Sequence, residues 1–357
     1  MKFLSIAFLL MVSPVCFGLV VLQYHHVSDK TPSSTSVSPD LFEQHIRYLA
    51  ENNFNVLTAD EFADSLTFEK SLTDDKSVLI TFDDGYDSVL TEAHEVLKKY
   101  NFPYIVFINP SKVGSKGYLS LKELQQLEGD GAAIANHTWN HPHLIREKPS
   151  ETKADWRLRV TEEITTTQQF IEANFDATTK LFAYPYGEFN QALAQLLEQL
   201  GFIGFSQHSG AIGHFDNRQA LPRFAFGGNY GLMSDFRIKV NSLPLPVAHV
   251  DVRDKSGNLL YEPLLTEGSS IPKVTIQIQN NGSHPKNLQL SCFASGVGSI
   301  AVKKIDSTTF ETQSPEPLPV GRSRYNCTAT SKLAGRFYWL SLPFYKKNDD
   351  GSWYPEY

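Results

Sequence analysis

The stretch Ser77-Val78-Leu79-Ile80-Thr81-Phe82-Asp83-Asp84-Gly85-Tyr86 places two adjacent carboxylates at the end of an apolar run. Its first six residues are rich in β-branched and aromatic side chains, which is typical of a buried strand, and Gly85 ends that strand. Two like charges at a strand end repel each other and resist burial unless a positive group lies beside them. A bound metal ion would meet this need, with one Asp as its ligand and the other free to move protons.

The segments around this strand repeat one pattern, because strand-like runs alternate with helix-like runs from residue 19 to residue 243. The predicted strands cover residues 19–24, 55–57, 78–82, 104–108, 132–136, 181–184, 202–206 and 221–226. The predicted helices cover residues 39–50, 59–66, 88–99, 121–127, 152–174 and 191–200. This alternation predicts an α/β fold with a parallel sheet that closes into a barrel.

The character of the chain changes at Leu243-Pro244-Leu245-Pro246, which predicts a short stiff linker. Beyond it, apolar residues recur with the period of two that strands show, at residues 274–279 and 288–292. We therefore predict a signal peptide over residues 1–18, a barrel domain over residues 19–243 and a small all-β sandwich over residues 244–357.

The first residues predict a secretory signal peptide. Lys2 supplies a positive charge, an apolar run extends from Phe3 to Val15, and Gly18 is a small residue at the expected cleavage point. The alternative is an uncleaved anchor, since apolar residues continue to Leu22 and reach the length that spans a bilayer. We favour cleavage, because residues 19–22 cannot lie both in lipid and in a sheet. The mature chain is then expected in the periplasm or outside the cell, with no stable membrane span.

Composition excludes one class of partner and indicates the redox environment in which the chain folds. The formal net charge is −7 and there is no long basic run, so nucleic acid is not an expected partner. The chain has three cysteines, and removal of Cys16 with the signal peptide leaves Cys292 and Cys327. This even number in an exported protein predicts a disulfide, and two buried free thiols are the alternative.

A second motif, Asn136-His137-Thr138-Trp139-Asn140-His141-Pro142-His143, follows the predicted strand 132–136. Pro142 disfavours helical geometry at His141, so the two histidines four residues apart are expected on a loop or a single turn. On its own, this spacing also fits a polar turn with two chance histidines. Together with the Asp pair, two imidazoles and one carboxylate make a three-ligand metal site with open positions for water.

A third motif, Phe182-Ala183-Tyr184-Pro185-Tyr186-Gly187, ends another predicted strand and by itself favours a Pro-Gly turn. The three motifs together resemble those of the polysaccharide deacetylase family, the carbohydrate esterases with the NodB homology domain. Thr81-Phe82-Asp83-Asp84-Gly85 resembles the first family motif, and the histidine pair resembles the second. Tyr24-His25-His26-Val27 resembles the opening strand of a subgroup that acts on exported glycans. The resemblance covers about residues 20–240 and implies a distorted (β/α)7 barrel.

The resemblance also implies a role for each site residue. Asp84, His137 and His141 would bind a divalent metal ion, which is usually zinc in this family. Asp83 would be the general base that takes a proton from the attacking water, and the backbone N–H of Tyr186 would help to hold the oxyanion. These residues lie at or just past predicted strand ends, the rim where βα barrels assemble their active sites.

The chain departs from the family pattern in two places. Ala183 occupies the position of an Arg that orients the base, and Arg223 on a later predicted strand is our candidate substitute, with a surface or packing role as the alternative. The family's late acid motif is not evident, and we predict His208 as the general acid in preference to His249, because it follows a barrel strand. His25 is expected to line the pocket.

The expected function is metal-dependent removal of acetyl groups from an exported or cell-wall glycan that contains N-acetylglucosamine. An O-acetyl esterase would use the same site. A catalytically silent glycan-binding protein, or an adaptor that acts through the β-sandwich, are alternatives of other classes. The C-terminal aromatic residues could stack on sugars, but we expect Tyr338 and Trp339 in the sandwich core and Trp353 and Tyr354 in a docked tail.

Overall fold

The computed structural model describes residues 18–67, 76–176, 179–213, 216–279, 284 and 287–355. The predicted signal peptide, apart from Gly18, lies outside these residues. No helix in the described part of the chain is long and apolar enough to cross a membrane.

Seven α-helices lie among the described residues, and local capping explains where they begin. Ser38 accepts a hydrogen bond from the N–H of Leu41 at 3.2 Å, with Pro39 in the first helical position. Thr58, Ser120 and Thr152 each form a capping box at their helix. The helices are α1 Pro39–Glu51, α2 Ala59–Ser65, α3 His94–Lys99, α4 Leu121–Gly129, α5 Lys153–Asn174, α6 Gln191–Gln199 and α7 Met233–Val240. The predicted helix 88–99 starts instead as a π-helical turn, Val89–Ala93.

One nine-stranded sheet forms the centre of the first part of the chain. The strands here are β1 Leu19–Tyr24, β2 His26–Val27, β3 Ser36–Val37, β4 Asn55–Val56, β5 Ser77–Phe82, β6 Tyr104–Ile108, β7 Ala132–Asn136, β8 Leu181–Ala183, β9 Ile203–Phe205, β10 Ala211–Ile212 and β11 Phe224–Ala225. The sheet order is β10-β1-β5-β6-β7-β8-β9, with β4 beside β5 and β11 beside β1, and β2 pairs separately with β3. The pairs from β1 to β9 along this path are parallel, as predicted.

The segment 221–225 joins the two ends of this curled sheet. Leu221 bridges in parallel to Phe205 at the end of β9, and β11 pairs in parallel with Leu22 and Gln23 of β1. The predicted strand 221–226 is therefore short, but it lies between the first and last parallel strands. This arrangement confirms the predicted distorted barrel.

Strand alternation decides which side chains enter the barrel. Val21 and Leu79 belong to the apolar cluster that the curled sheet encloses. Because side chains alternate between the faces of a strand, Gln23 and Thr81 follow on the same inner face, and Asp83 continues the series just past β5. Polar groups thus replace apolar ones at the carboxyl ends of the strands.

The C-terminal part of the chain forms two further sheets, which confirms the predicted β-sandwich character. Its strands are β12 Leu243–Pro244, β13 Val247–Arg253, β14 Leu264–Leu265, β15 Lys273–Ile278, β16 Ser291–Ala294, β17 Gly298–Ile300, β18 Val302–Lys304, β19 Thr309–Gln313, β20 Gly321–Thr330 and β21 Phe337–Lys346. The six-stranded sheet contains β12, β14, β16, β17, β20 and β21, and the four-stranded sheet has the order β13-β15-β19-β18. Cys292 of β16 and Cys327 of β20 are directly opposite and form the predicted disulfide.

The predicted stiff linker is wrong in one respect. Leu243 and Pro244 pair in parallel with Tyr338 and Trp339, and the side chains of Leu243 and Leu245 are buried in the sandwich core. The leucines of this segment offer apolar surface, so burial stabilises them in the sheet more than exposure as a spacer would.

Candidate active site

The C-terminal ends of neighbouring strands bring the sequence motifs together. Asp83 and Asp84 follow β5, His137 follows β7, and Tyr186 lies in the turn after β8. His25 comes directly after β1, which pairs with β5. Because the pairing is parallel, these positions meet at one edge of the sheet.

Asp84, His137 and His141 form a compact cluster of potential metal ligands. The Nε2 atoms of His137 and His141 lie 3.3 and 3.5 Å from Oδ1 of Asp84. One ligand atom from each residue lies within 4.8 Å of the others. Asp84 and His141 have φ angles of 71° and 58°, so the backbone takes left-handed conformations that aim these side chains inward.

The environment of His137 suits a metal ligand. Its ring is fully buried, and Nδ1 donates a 2.7 Å hydrogen bond to the carbonyl oxygen of Ala183. This bond leaves the Nε2 lone pair facing Asp84, and Nε2 has no hydrogen-bond partner among the described residues. Burial lowers the pKa of His137, but the carboxylates of Asp84 and Asp83 raise it by more. The cluster therefore favours a positive charge at its centre.

His141 and Asp84 have protonation states that fit the same cation. Burial, and then the neighbouring His137, lower the pKa of His141 to about 4, so this imidazole is neutral and can donate a lone pair at physiological pH. Burial raises the pKa of Asp84, but the imidazole of His137 lowers it by more, and the carboxylate stays ionised. The raised pKa of His137 reflects the same preference for positive charge, which a bound cation would supply in place of the proton. Two imidazole nitrogens and one carboxylate are a ligand set that zinc uses.

Two asparagines hold the histidine loop. Nδ2 of Asn109 donates to the carbonyl oxygens of His137 and Thr138 at 2.5 and 3.1 Å. Oδ1 of Asn136 accepts from the N–H of Thr138 at 3.0 Å, and Oγ1 of Thr138 accepts from the N–H of His141 at 3.1 Å. Sequence reasoning missed Asn109, although a polar residue directly after the apolar strand β6 was a usable signal.

Asp83 is completely buried and forms a bidentate ion pair with Arg223. The guanidinium nitrogens lie 2.7 and 2.8 Å from its two oxygens, and Nε2 of Gln23 donates to Oδ2 at 2.7 Å. Burial raises the pKa of Asp83, but Arg223, His137 and His25 together lower it by more, so the group is a carboxylate at neutral pH. Gln23 was missed by sequence reasoning, although it is a polar residue in the otherwise apolar strand β1.

Arg223 is also fully buried, which excludes the surface alternative for this residue. Its Nε donates to the carbonyl oxygen of Ser206 at 3.0 Å, and its guanidinium lies 5.6 and 5.9 Å from the ring centres of Phe107 and Phe205. The closing segment 221–225 thus carries the Arg to Asp83 from the opposite edge of the sheet.

Comparison with known proteins agrees with this geometry. A family model described as polysaccharide deacetylase matches residues 70–204. The chain is 28% identical over 207 residues to a poly-beta-1,6-N-acetyl-D-glucosamine N-deacetylase of Staphylococcus aureus, covering 56% of this chain and 71% of that protein. The chain contains a polysaccharide deacetylase domain.

Solved structures extend the similarity to the fold. The Streptococcus pyogenes deacetylase PplD, in complex with acetate, superposes with a TM-score of 0.54 at 25% identity, covering 60% of this chain and 95% of PplD. IcaB from Ammonifex degensii gives a TM-score of 0.52 at 25% identity, covering 61% of this chain and 95% of IcaB. The deacetylase domain therefore has the fold of these hydrolases.

The two candidate acids, His208 and His249, and the predicted pocket residue His25 lie in different surroundings. His25 is half-buried and follows β1, beside the strand that carries Asp83. Burial raises the pKa of Asp83, and the imidazole of His25 helps to lower it. His208 contacts Ser206, and burial and then Arg324 lower its pKa to about 3. None of the contacts described for His208 reaches the Asp and His cluster. His249 is exposed on β13, outside the deacetylase domain.

Tyr186 and Glu188 connect the deacetylase domain to the C-terminal tail. The ring of Tyr186 lies edge-on to His141 at 4.6 Å and stacks on His143 at 3.6 Å. Glu188 is buried, accepts a 2.8 Å hydrogen bond from Nδ1 of His143, and accepts another from the hydroxyl of Tyr354. The tail is docked, as predicted, and His143 lies between Tyr186 and Glu188.

The other predicted aromatic pair divides between two cores. Tyr338 is buried in the sandwich core, as predicted. Trp339 instead packs against the barrel, where its ring lies edge-on to Phe224 at 5.1 Å. Neighbouring side chains of β21 point to opposite faces, which explains why one enters the sandwich and the other the interface.

Proposed function

We propose that this chain is a metal-dependent deacetylase that removes N-acetyl groups from an exported or cell-wall glycan containing N-acetylglucosamine. The observation that carries the proposal is the pairing of two carboxylates with different environments. Asp83 is held by Arg223 and Gln23, whereas the adjacent Asp84 faces two histidines. Such separated environments let neighbouring carboxylates take different roles.

Asp84, His137 and His141 would hold the divalent ion, and we propose zinc from the nitrogen-rich ligand set. When bound, the ion would supply an activated water and polarise the acetyl carbonyl. The hydrogen bond from His137 to the carbonyl of Ala183 fixes the ring orientation that this role needs. Ala183, which stands where the family carries an Arg, contributes here through its backbone.

Asp83 would act as the general base. Arg223 keeps it ionised and fixes both oxygens, and Gln23 adds a third donor to the same carboxylate. A carboxylate oxygen has two lone pairs, so these contacts still leave an acceptor site for a proton from the attacking water. Arg223 would be a positioning residue in this mechanism.

We propose His25, rather than His208, as the group that protonates the departing amine. His25 is half-buried and directly follows β1, which pairs with the strand that carries Asp83 and Asp84. Burial raises the pKa of both carboxyls, and the imidazole of His25 helps to lower it. The ring of His208 contacts Ser206 and Phe189, and its only link toward Asp83 among the described residues is through its backbone, whose carbonyl oxygen accepts from the N–H of Arg223 at 2.9 Å. The backbone N–H of Tyr186, whose ring touches His141, remains our proposed oxyanion donor.

The proposed substrate class is based on the substrates for which relatives of this chain are named. The Staphylococcus aureus relative is named for poly-β-1,6-N-acetylglucosamine, so a polymer of this sugar is the first substrate to test. The predicted signal peptide supports a glycan outside the cytoplasm. An O-acetylated glycan would occupy the same site and belongs in the same panel.

Acetate release from N-acetylated and O-acetylated oligosaccharides tests the proposal. We expect release that stops with a chelator and returns with Zn²⁺, and that falls by about 10²–10⁴-fold in Asp83→Asn, the range for loss of a general base. Asp349→Asn is the matched control, because this Asp is exposed in the C-terminal part. Release that ignores chelation, or that survives in Asp83→Asn, would refute the mechanism.

A further inference from the structure

The loop that follows β8 is held by the C-terminal part of the chain at each of its residues. We call it the Tyr186 loop, and its members are Tyr186, Gly187, Glu188 and Phe189. The hydroxyl of Tyr345 on β21 donates to the carbonyl oxygen of Gly187 at 3.1 Å and accepts from the N–H of Phe189 at 3.4 Å. Arg322 on β20 donates to the carbonyl oxygen of Tyr186 at 3.0 Å. The six-stranded sheet therefore fixes the backbone of this loop.

The docked tail holds the remaining residue of the loop, Glu188. The hydroxyl of Tyr354 donates to the buried carboxylate of Glu188, which also accepts a 2.8 Å hydrogen bond from Nδ1 of His143. The ring of His143 is stacked on the ring of Tyr186, with 3.6 Å between the ring centres and 10° between the planes. The tail thus supports the loop a second time, through the side chains of Glu188 and His143.

The backbone of the Tyr186 loop has a conformation that needs such support. Tyr186 and Gly187 have φ angles of 59° and 70°, so two successive residues are left-handed, which is unfavourable for a side chain such as that of Tyr. A Cβ added at Gly187 would lie 2.5 Å from Cβ of Gln207, so the second position requires glycine. Strained backbone persists only where surrounding contacts fix it, and β20, β21 and the tail supply contacts of this kind.

We propose that the C-terminal sheet and tail position the backbone N–H of Tyr186 for the oxyanion, with Tyr345 as a positioning residue. The inference rests on the proposed function, in which this N–H is the oxyanion donor. Such a donor works because it is fixed before charge develops on the acetyl oxygen. A loosened donor stabilises the transition state less and changes binding of the acetylated glycan little, so the loss appears in kcat. The second domain is then part of the deacetylase machinery.

Tyr345→Phe tests the proposal by removing one oxygen atom. Its matched control is Tyr325→Phe, because the hydroxyl of Tyr325 also bridges two backbone groups, the carbonyl oxygen of Pro272 at 3.0 Å and the N–H of Ser314 at 2.9 Å. Both rings are buried, but Tyr325 lies in the sandwich core and Tyr345 packs with the deacetylase domain. We expect similar losses of stability, whereas kcat for acetate release should fall about ten-fold or more in Tyr345→Phe alone, with KM within about two-fold of wild type. Equal kcat values in the two variants would overturn the proposal.

Amide hydrogen exchange of the full chain gives a second result that needs no catalysis. Exchange in peptides that cover the Tyr186 loop should be faster in Tyr345→Phe than in wild type or Tyr325→Phe, and unchanged exchange would overturn the proposal. Tyr354→Phe, which removes the tail's hydrogen bond to Glu188, should also lower kcat and repeats the test if Tyr345→Phe does not fold. Faster exchange in Tyr345→Phe without acetate release by wild type on any substrate would support the loop contacts and refute the proposed activity. Release by wild type with unchanged kcat in Tyr345→Phe and Tyr354→Phe would refute the positioning role alone.

Discussion

Replacement of Arg223 by Met tests the centre of the proposed site. Met has a similar apolar stem but no charge, so it removes both hydrogen bonds to Asp83 and the one to the carbonyl of Ser206. Asp83 would keep only Gln23 as a donor while still fully buried. Breaking a buried pair in this way costs about 3–5 kcal/mol of the free energy of unfolding.

The cost should appear in both stability and activity. For a domain of this size, each kcal/mol lowers the melting temperature by about 2–4 °C, so a fall of roughly 6–20 °C is expected. Activity should fall about 100-fold or more, because Asp83 loses the group that fixes both of its oxygens, and because burial raises its pKa against less opposition once Arg223 is gone. The loss should be mainly in kcat.

The dependence on pH has a defined sign. The folded pKa of Asp83 is below its unfolded value, so the ion pair stabilises the fold above the unfolded pKa of about 3.9 and loses this effect as pH falls through the folded pKa. The difference in unfolding free energy between wild type and Arg223→Met should therefore be largest at neutral pH and shrink on acidification.

Chemical denaturation and acetate release across pH are the assays. Arg47→Met is the control, because its pair with Glu51 is exposed and separated by 3.9 Å, which predicts an effect below about 1 kcal/mol. Arg223→Lys keeps the charge without the bidentate geometry and should lie between wild type and Arg223→Met. If Arg223→Met unfolds like the control and keeps wild-type kcat, the positioning role is refuted.

Three further predictions concern the rest of the molecule. Tyr354→Phe removes a hydrogen bond to the buried carboxylate of Glu188 and should cost about 1.5–3 kcal/mol in denaturation. Burial raises the pKa of Asp216 to about 6, so its contribution to stability is present below pH about 4 and lost as pH rises through about 6. Asp216→Asn should then gain about 3 kcal/mol at neutral pH relative to acid, since each unit of pKa shift is worth about 1.4 kcal/mol, measured by denaturation at both. Replacing Cys292 and Cys327 by Ala opens a link across 35 residues and should cost about 4 kcal/mol.

Each of these has a result that contradicts it. Unchanged stability in Tyr354→Phe would mean that the docked tail does not support Glu188. An Asp216→Asn variant whose stability relative to wild type is the same at both pH values would show that burial does not shift this group. Equal denaturation midpoints for the double Ala variant and the oxidised protein would show that the link does not constrain the unfolded chain.

The metal cluster could be located from sequence because its residues follow strands. A strand with the composition of Ser77–Phe82 can only be buried, and parallel strands bring their carboxyl ends to one edge. The sequence therefore predicts that Asp84, His137 and His141 lie together. Local propensity does not predict their loop geometry, because Asp84 and His141 take left-handed backbone conformations that non-glycine residues rarely adopt.

The partners of Asp83 could not be fixed in the same way. Arg223 was only a candidate, because a residue 140 positions away reaches the base only if the sheet curls and closes through segment 221–225. The choice of His208 over His249 as the acid relied on order along the chain, and His25 was expected only to line the pocket. The structure places His25 at the cluster because β1 lies directly beside β5.

The sequence by itself predicted the fold class, the deacetylase motifs, the disulfide and the candidate metal ligands, because strand patterns and motif spacing are local properties. Only the tertiary structure decided what holds Asp83, and how β20 and the docked tail meet the Tyr186 loop. Those contacts join residues far apart in the chain. Closure of the barrel and packing of the second sheet create these contacts, and neither produces a periodic pattern in the sequence that could predict it.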